Sequence, residues 1–145
     1  MRISDKLHEE CAVFGVNTQS EEAAGLTYNA LLAMQHRGQE GSGIAVLDNH
    51  RILYHKNVGL LSEVFTDKVI SKLPASKMAV GHNRYSTTGN NTISNVQPFI
   101  TEYLTGRIAT VHNGNILNAA EIKEKLKENG LQFNATSDSE VISSL

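Results

Sequence analysis

One cysteine in 145 residues leaves no partner for an internal disulfide and no second thiol for a metal clip. The first residues lack the apolar core of a secretory signal peptide. No apolar run approaches the roughly 20 residues that span a bilayer, so membrane insertion is not expected. Charge of one sign is also missing: 13 Lys and Arg stand against 15 Asp and Glu, a formal net charge of −2. Neither nucleic acid nor an anionic membrane gains an electrostatic hold from that balance. His8, His36, His50, His55, His82 and His112 show no paired ligand spacing, and no metal site is expected. Internal repeats and low-complexity tracts are absent as well. At 40% hydrophobic and 19% charged, the chain has the composition of an ordinary globular protein and the length of one domain. A reducing, cytoplasmic setting is the expectation that follows.

The solitary cysteine stands at a junction. After Cys11 comes Ala12-Val-Phe-Gly-Val16, which reads as a buried strand able to hold the sulfur at a rigid strand end. Before it lie mostly polar residues with no apolar run, the pattern of a removable leader over residues 1–10. A cut after Glu10 would give Cys11 a free α-amine, which titrates at about 7.7–8.0 and can serve as a base beside its own thiol. Taken alone, a lone cysteine is more often a small buried hydrophobe than a catalyst.

Further along, Ser20-Glu-Glu predicts a helix start, with the helix running to about His36 and Gly38 ending it in a loop, Gln35 to Gly43. Ile44–Leu47 and Ile52–Tyr54 flank a polar tip and predict a hairpin. Leu60 to Leu73 carries helical spacing up to Pro74. Met78–Val80 opens a strand leading into a long polar stretch, Gly81 to Asn95, of the kind that forms binding loops or lids. Phe99–Leu104 and Arg107–Val111 predict a second hairpin around Thr105-Gly106. Asn118 with Glu121 resembles a capping box for a helix ended by Asn129-Gly130, and Ser137 with Glu140 repeats the device. That last helix has barely begun at Leu145, which implies a domain truncated at its C-terminal end. Strands and helices mixed in this way predict a layered α/β or α+β domain.

Three positions besides Cys11 carry groups suited to amide hydrolysis. Arg84 can grip a carboxylate through paired hydrogen bonds, or form a structural ion pair. Asn113-Gly114 offers a side-chain amide beside a backbone N–H, the equipment of an oxyanion hole, or else a tight turn. Asp138 can receive an ammonium, or sit in a first helical turn.

These strings occur together in the order of one family. Glu9-Glu-Cys-Ala-Val-Phe-Gly15, Gln35-His-Arg-Gly-Gln39, Gly81-His-Asn-Arg-Tyr-Ser-Thr-Thr-Gly89, Gln97-Pro-Phe99, His112-Asn-Gly-Asn115 and Ser137-Asp-Ser-Glu-Val-Ile142 resemble the glutaminase domain of the glutamine phosphoribosylpyrophosphate amidotransferases. The resemblance covers nearly the whole chain, and the substring Arg84-Tyr-Ser-Thr favours this purine-synthesis family over other glutamine amidotransferases with an N-terminal cysteine. It implies an α+β fold, the four-layer α-β-β-α sandwich of N-terminal-nucleophile hydrolases, with 1–10 a propeptide and 11–145 the glutaminase domain. It also assigns roles. Cys11 would be the nucleophile, with Asn113 and the Gly114 N–H stabilising the oxyanion. Arg84, helped by Thr87, would hold the glutamine α-carboxylate, and Asp138 the α-ammonium. Arg37 and Gly38 would shape the pocket, and Tyr85 to Gly89 would belong to a loop closing over glutamine.

The same resemblance implies a phosphoribosyltransferase domain, absent here, that consumes the ammonia. Mg²⁺, any iron–sulfur cluster, nucleotide feedback sites and homo-oligomer contacts would belong to the full-length protein, and no cofactor is implied for these residues. Two other readings stand beside it: an N-terminal-nucleophile amidase for a different amide, and an uncut domain that binds glutamine without hydrolysing it.

Overall fold

The computed structural model describes residues 11–85, 92–133, 135 and 137–144; the leader, residues 1–10, lies outside them. The apolar alternation behind Cys11 forms β1 (Ala12–Asn17). The first expected hairpin is longer than its apolar residues indicated, with β2 (Gly41–Asp48) and β3 (Arg51–Val58) joined through Asn49 and His50. Both linker residues have positive φ, 43° and 68°, which matches the twist of a two-residue hairpin turn. With β4 (Met78–Arg84) these strands make one antiparallel sheet in the order β1-β4-β2-β3.

Register divides the residues of this sheet between two faces. On one face, Ala12, Ile44, Val46 and Ala79 meet α1 (Ala23–Ala33), whose Leu31 is fully buried among them. Gly81 makes that approach close, since a Cβ there would lie 2.6 Å from Thr27 and 2.8 Å from Leu31. The opposite face carries Gly43, Lys56 and His82 and is covered by a second sheet, the hairpin of β5 (Phe99–Tyr103) and β6 (Gly106–Thr110). A 3-10 helix over Asp138–Ser144 packs on that hairpin, where Thr101 Oγ1 donates to Ser143 Oγ at 2.7 Å and the Tyr103 hydroxyl donates to the Ser143 carbonyl. The last helix, α4 (Ala119–Glu128), lies against this layer, and Lys123 Nζ donates to the carbonyls of Ala135 and Ser137. The result is the α-β-β-α sandwich that was expected. A cleft of about 560 Å³ separates the two sheets at the end away from Cys11, lined by residues such as Val16, Leu47, Val80 and Ile108.

Several local expectations fail, through packing or through polar contacts. The first helix begins at Ala23 rather than Ser20, whose hydroxyl pairs with that of Thr18. It ends at Ala33, and Gln35–Arg37 turn as a 3-10 helix. Gly41 and Gly43 are strand residues, not loop: a Cβ on Gly43 would sit 2.1 Å from the Gln97 carbonyl oxygen, so glycine admits the second sheet. The helix read over 60–73 breaks into α2 (Leu61–Val64) and α3 (Asp67–Ile70). Phe65 leaves helical geometry between them and turns into the core, 1% exposed, with its ring edge-on to His55. The capping box does not form: Asn118 makes no side-chain capping bond, and Glu121 pairs with Lys125 at 2.7 Å. Glu140 reaches back past Ser137 to the Ala135 N–H, and the segment winds as 3-10 rather than α. The long polar stretch also starts later than expected, since His82, Asn83 and Arg84 belong to β4. Among the described residues no helix is long and apolar enough to cross a membrane.

Candidate active site

Because β1 pairs with the far end of β4, Cys11 is carried next to Tyr85. The Tyr85 N–H donates to Cys11 Sγ at 3.3 Å, and the thiol reaches back to the Tyr85 carbonyl at 3.5 Å. The backbone of one residue, Tyr85, thus holds the sulfur through both its N–H and its carbonyl. Cys11 itself has φ +57°, a left-handed conformation that costs a non-glycine residue about 1–2 kcal/mol.

The string Gln35 to Gly38 arrives from the end of α1. Arg37 Nε donates to the Cys11 carbonyl at 2.9 Å. Gly38 rests directly on β4, where a Cβ would fall 2.7–2.8 Å from the backbone of Asn83 and Arg84. Gln35 braces this corner, donating to the Gly38 carbonyl at 2.5 Å and accepting the Leu61 N–H at 2.8 Å. Sequence motifs far apart in the chain therefore converge on Cys11 through backbone contacts.

Arg84 is half-buried and donates through Nη1 to the Asn95 carbonyl at 2.9 Å. Asn95 is buried, and its side-chain oxygen accepts the Ser137 N–H at 3.3 Å, next to Asp138. Asp138 is held in turn: Oδ2 accepts the Ile116 N–H at 2.6 Å, and Oδ1 lies 3.2 Å from Ser139 Oγ. A carboxylate only accepts, so Ser139 donates its single proton to Asp138, and His112 Nδ1–H, 3.0 Å away, donates to Ser139. Asn113 and Gly114 are exposed just beyond β6. Gly114 folds over the ring of His112, which a Cβ would meet at 2.7 Å.

Thr87 and most of the expected closing loop, residues 86–91, lie outside the described residues; the Tyr85 side chain at the root of that loop is 45% exposed. Two buried residues given no role from sequence stand in the site. Gln97, 5% exposed, clasps the His112 backbone. His82, 1% exposed, makes no ring-nitrogen hydrogen bond of good geometry among the described residues, and only the backbone of His112 approaches its ring as a weak partner. Burial chiefly, and then the positive charge of Arg84, lower its pKa to about 3, so the ring is neutral. The Gln97-Pro98-Phe99 string was visible in the sequence, but nothing local revealed its target. No group of three or more His, Cys, Asp or Glu side chains is placed to hold a metal ion among the described residues.

Comparison with known proteins addresses the same stretch. A family model described as a glutamine amidotransferase domain matches residues 67–145, more than half of the chain. The chain belongs to the glutamine amidotransferase domain family. This glutamine amidotransferase domain is 44% identical over 138 residues to an amidophosphoribosyltransferase of Synechococcus elongatus, covering 95% of the chain and 28% of that protein. It is 46% identical over 138 residues to the chloroplastic amidophosphoribosyltransferase 3 of Arabidopsis thaliana, covering 95% of the chain and 26% of the relative. Among solved structures, the glutamine phosphoribosylpyrophosphate amidotransferase of B. subtilis complexed with ADP and GMP matches with a TM-score of 0.81 at 41% identity, over 92% of this chain and 28% of that one. The domain thus spans little more than a quarter of the length of these proteins, and its layered sandwich is their N-terminal-nucleophile hydrolase fold.

Proposed function

We propose that this domain is the glutaminase part of an amidophosphoribosyltransferase. It hydrolyses glutamine to glutamate and ammonia, which a phosphoribosyltransferase domain of the same protein uses to form 5-phosphoribosylamine in the first step of purine synthesis. The observation that carries this reading is the placement of Cys11 Sγ on the Tyr85 N–H, one residue from the Arg84 guanidinium. A nucleophile and a carboxylate-binding cation share one strand end, as hydrolysis of a free amino acid's side-chain amide requires.

In the proposed reaction Cys11 Sγ attacks the Cδ of glutamine while its freed α-amine takes the thiol proton. Asn113 Nδ2 and the Gly114 N–H stabilise the negative charge that forms on oxygen. The α-ammonium returns the proton to the leaving nitrogen, the C–N bond breaks, and ammonia departs. Water then attacks the thioester, the C–S bond breaks, and glutamate leaves. Arg84 and Thr87 hold the substrate α-carboxylate and Asp138 its α-ammonium, while Arg37 fixes the Cys11 carbonyl so that sulfur stays aimed. Mg²⁺ and any iron–sulfur cluster belong to the full-length protein, which forms a homo-oligomer, and the cytoplasm supplies the reducing setting a single catalytic thiol needs.

The decisive experiment pairs the intact mass of the purified chain with ammonia release from glutamine, for the parent and for Cys11→Ala. Loss of residues 1–10 and glutamine-dependent ammonia in the parent, with neither in the variant, are the expected results. Ammonia release by Cys11→Ala at the parent's rate, with contaminating glutaminase excluded, overturns the assignment.

A further inference from the structure

We propose that Gln97 is a positioning residue for the oxyanion-binding turn, an inference that rests on the glutaminase reading. Gln97 Oε1 accepts the His112 N–H at 2.6 Å, and Gln97 Nε2 donates to the His112 carbonyl at 3.0 Å. One side-chain amide thereby satisfies both backbone groups of a single residue, as a paired strand would. His112 immediately precedes Asn113 and Gly114, so the clasp sets where β6 ends and the turn begins.

The clasp has a firm base. Lys56 Nζ donates to the carbonyls of Val96 and Pro98 at 2.6 and 3.0 Å, on either side of Gln97. The Gln97 backbone lies against Gly43, where no side chain intervenes. The same short segment serves the rest of the site: the Asn95 carbonyl receives Arg84, and the Asn95 side chain receives the Ser137 N–H beside Asp138. Residues 95–97 thus join the two groups that recognise the amino acid to the turn that stabilises the oxyanion. The two hydrogen bonds of the Gln97 side chain go to the backbone of His112, and through that backbone it acts.

An oxyanion donor works only at its proper distance from the developing charge, and a displacement of about 1 Å can cost on the order of 100-fold in rate. Substitution of Gln97 should therefore lower kcat and spare glutamine binding. The test is Gln97→Met in the full chain, which keeps volume and removes both hydrogen bonds. Expected are a kcat lower by about 10- to 100-fold, a KM for glutamine within about threefold of the parent, and an equal loss of affinity for glutamate γ-semialdehyde, whose adduct with Cys11 carries the oxyanion. The His112 amide should also exchange with solvent at least about tenfold faster, while amides of β2 and β4 keep their protection. Should the Met variant not fold, Gln97→Glu retains the shape and the acceptor but sets a carboxylate against the His112 carbonyl, and the same separation of kcat from KM is expected. A parent that releases no ammonia overturns the proposed function and this role with it. An active parent matched in kcat by a folded Gln97 variant overturns the positioning role alone.

Discussion

The carboxylate of Asp138 accepts the backbone N–H of Ile116 at 2.6 Å, tying the residue proposed to bind the substrate ammonium to the turn that holds Asn113 and Gly114. Asp138 therefore has two functions that substitution can separate. Asp138→Asn keeps an oxygen for Ile116 and loses the charge; Asp138→Ala loses both. A charged hydrogen bond contributes about 1.5–3 kcal/mol, so Asp138→Asn should raise the KM for glutamine by roughly 10- to 100-fold with little change in kcat. Asp138→Ala should add a fall in kcat and in Tm. An Asp138→Asn variant with the parent's KM would show that the charge is not used in recognition, and equal kinetics for the two variants would show that the tie to Ile116 contributes nothing.

Arg84 can be probed by Arg84→Lys, which retains charge but not the planar fork. Lysine cannot hold the Asn95 carbonyl and present two parallel donors to a carboxylate at once. We expect KM for glutamine to rise at least about tenfold, and the loss to be smaller for amides that lack an α-carboxylate. Steady-state kinetics with glutamine and with such an analogue give the comparison, and an equal loss for both would refute carboxylate recognition.

How far this site was legible in the sequence depended on the range of each interaction. Cys11 before an apolar alternation and the hairpin at Asn49-His50 were readable because each is set by a few adjacent residues. The long helix expected over 60–73 failed because Phe65 gains more by burial against His55 than by continuing the helix, a decision made by a distant residue. Gly41 and Gly43 looked like loop for the same reason, their need for glycine coming from Val96 and Gln97 across the sheets. Arg84, Asp138 and Asn113-Gly114 were identified by family resemblance, since each has a common structural use. Gln97 and Asn95 carry the connections between them, and no local pattern announces a side chain that binds a backbone 15 or more residues away.

His82 makes stability sensitive to acid. Its pKa is about 3 in the fold, against 6.5 for an ordinary histidine, through burial first and then the charge of Arg84. Between those values the unfolded chain binds a proton that the fold excludes. The stability of the neutral ring is present in full above pH 6.5 and is lost as pH falls toward 3, at about 1.4 kcal/mol per pH unit through most of that window. His82→Gln, neutral throughout, should flatten the dependence of Tm on pH between 7.5 and 5 relative to the parent. Parallel curves would mean that the imidazole takes up its proton in the fold as readily as in the unfolded chain.

Asn113 offers the cleanest separation of chemistry from folding, because the residue is exposed and lies beyond the end of β6. Truncating an exposed side chain of this kind changes stability by about 0.5 kcal/mol or less. Removing one oxyanion donor in an amide hydrolase lowers kcat by about 100- to 1,000-fold. Asn113→Ala should therefore retain the parent's Tm and its KM for glutamine while losing kcat by that factor. Cys11→Ala, which removes the nucleophile itself, should abolish turnover altogether, whereas Asn113→Ala should keep a residual rate with the Gly114 N–H as its remaining oxyanion donor. An Asn113→Ala variant within about fivefold of the parent's kcat would place the oxyanion elsewhere, and with it the need for His112 to be held so firmly by Gln97.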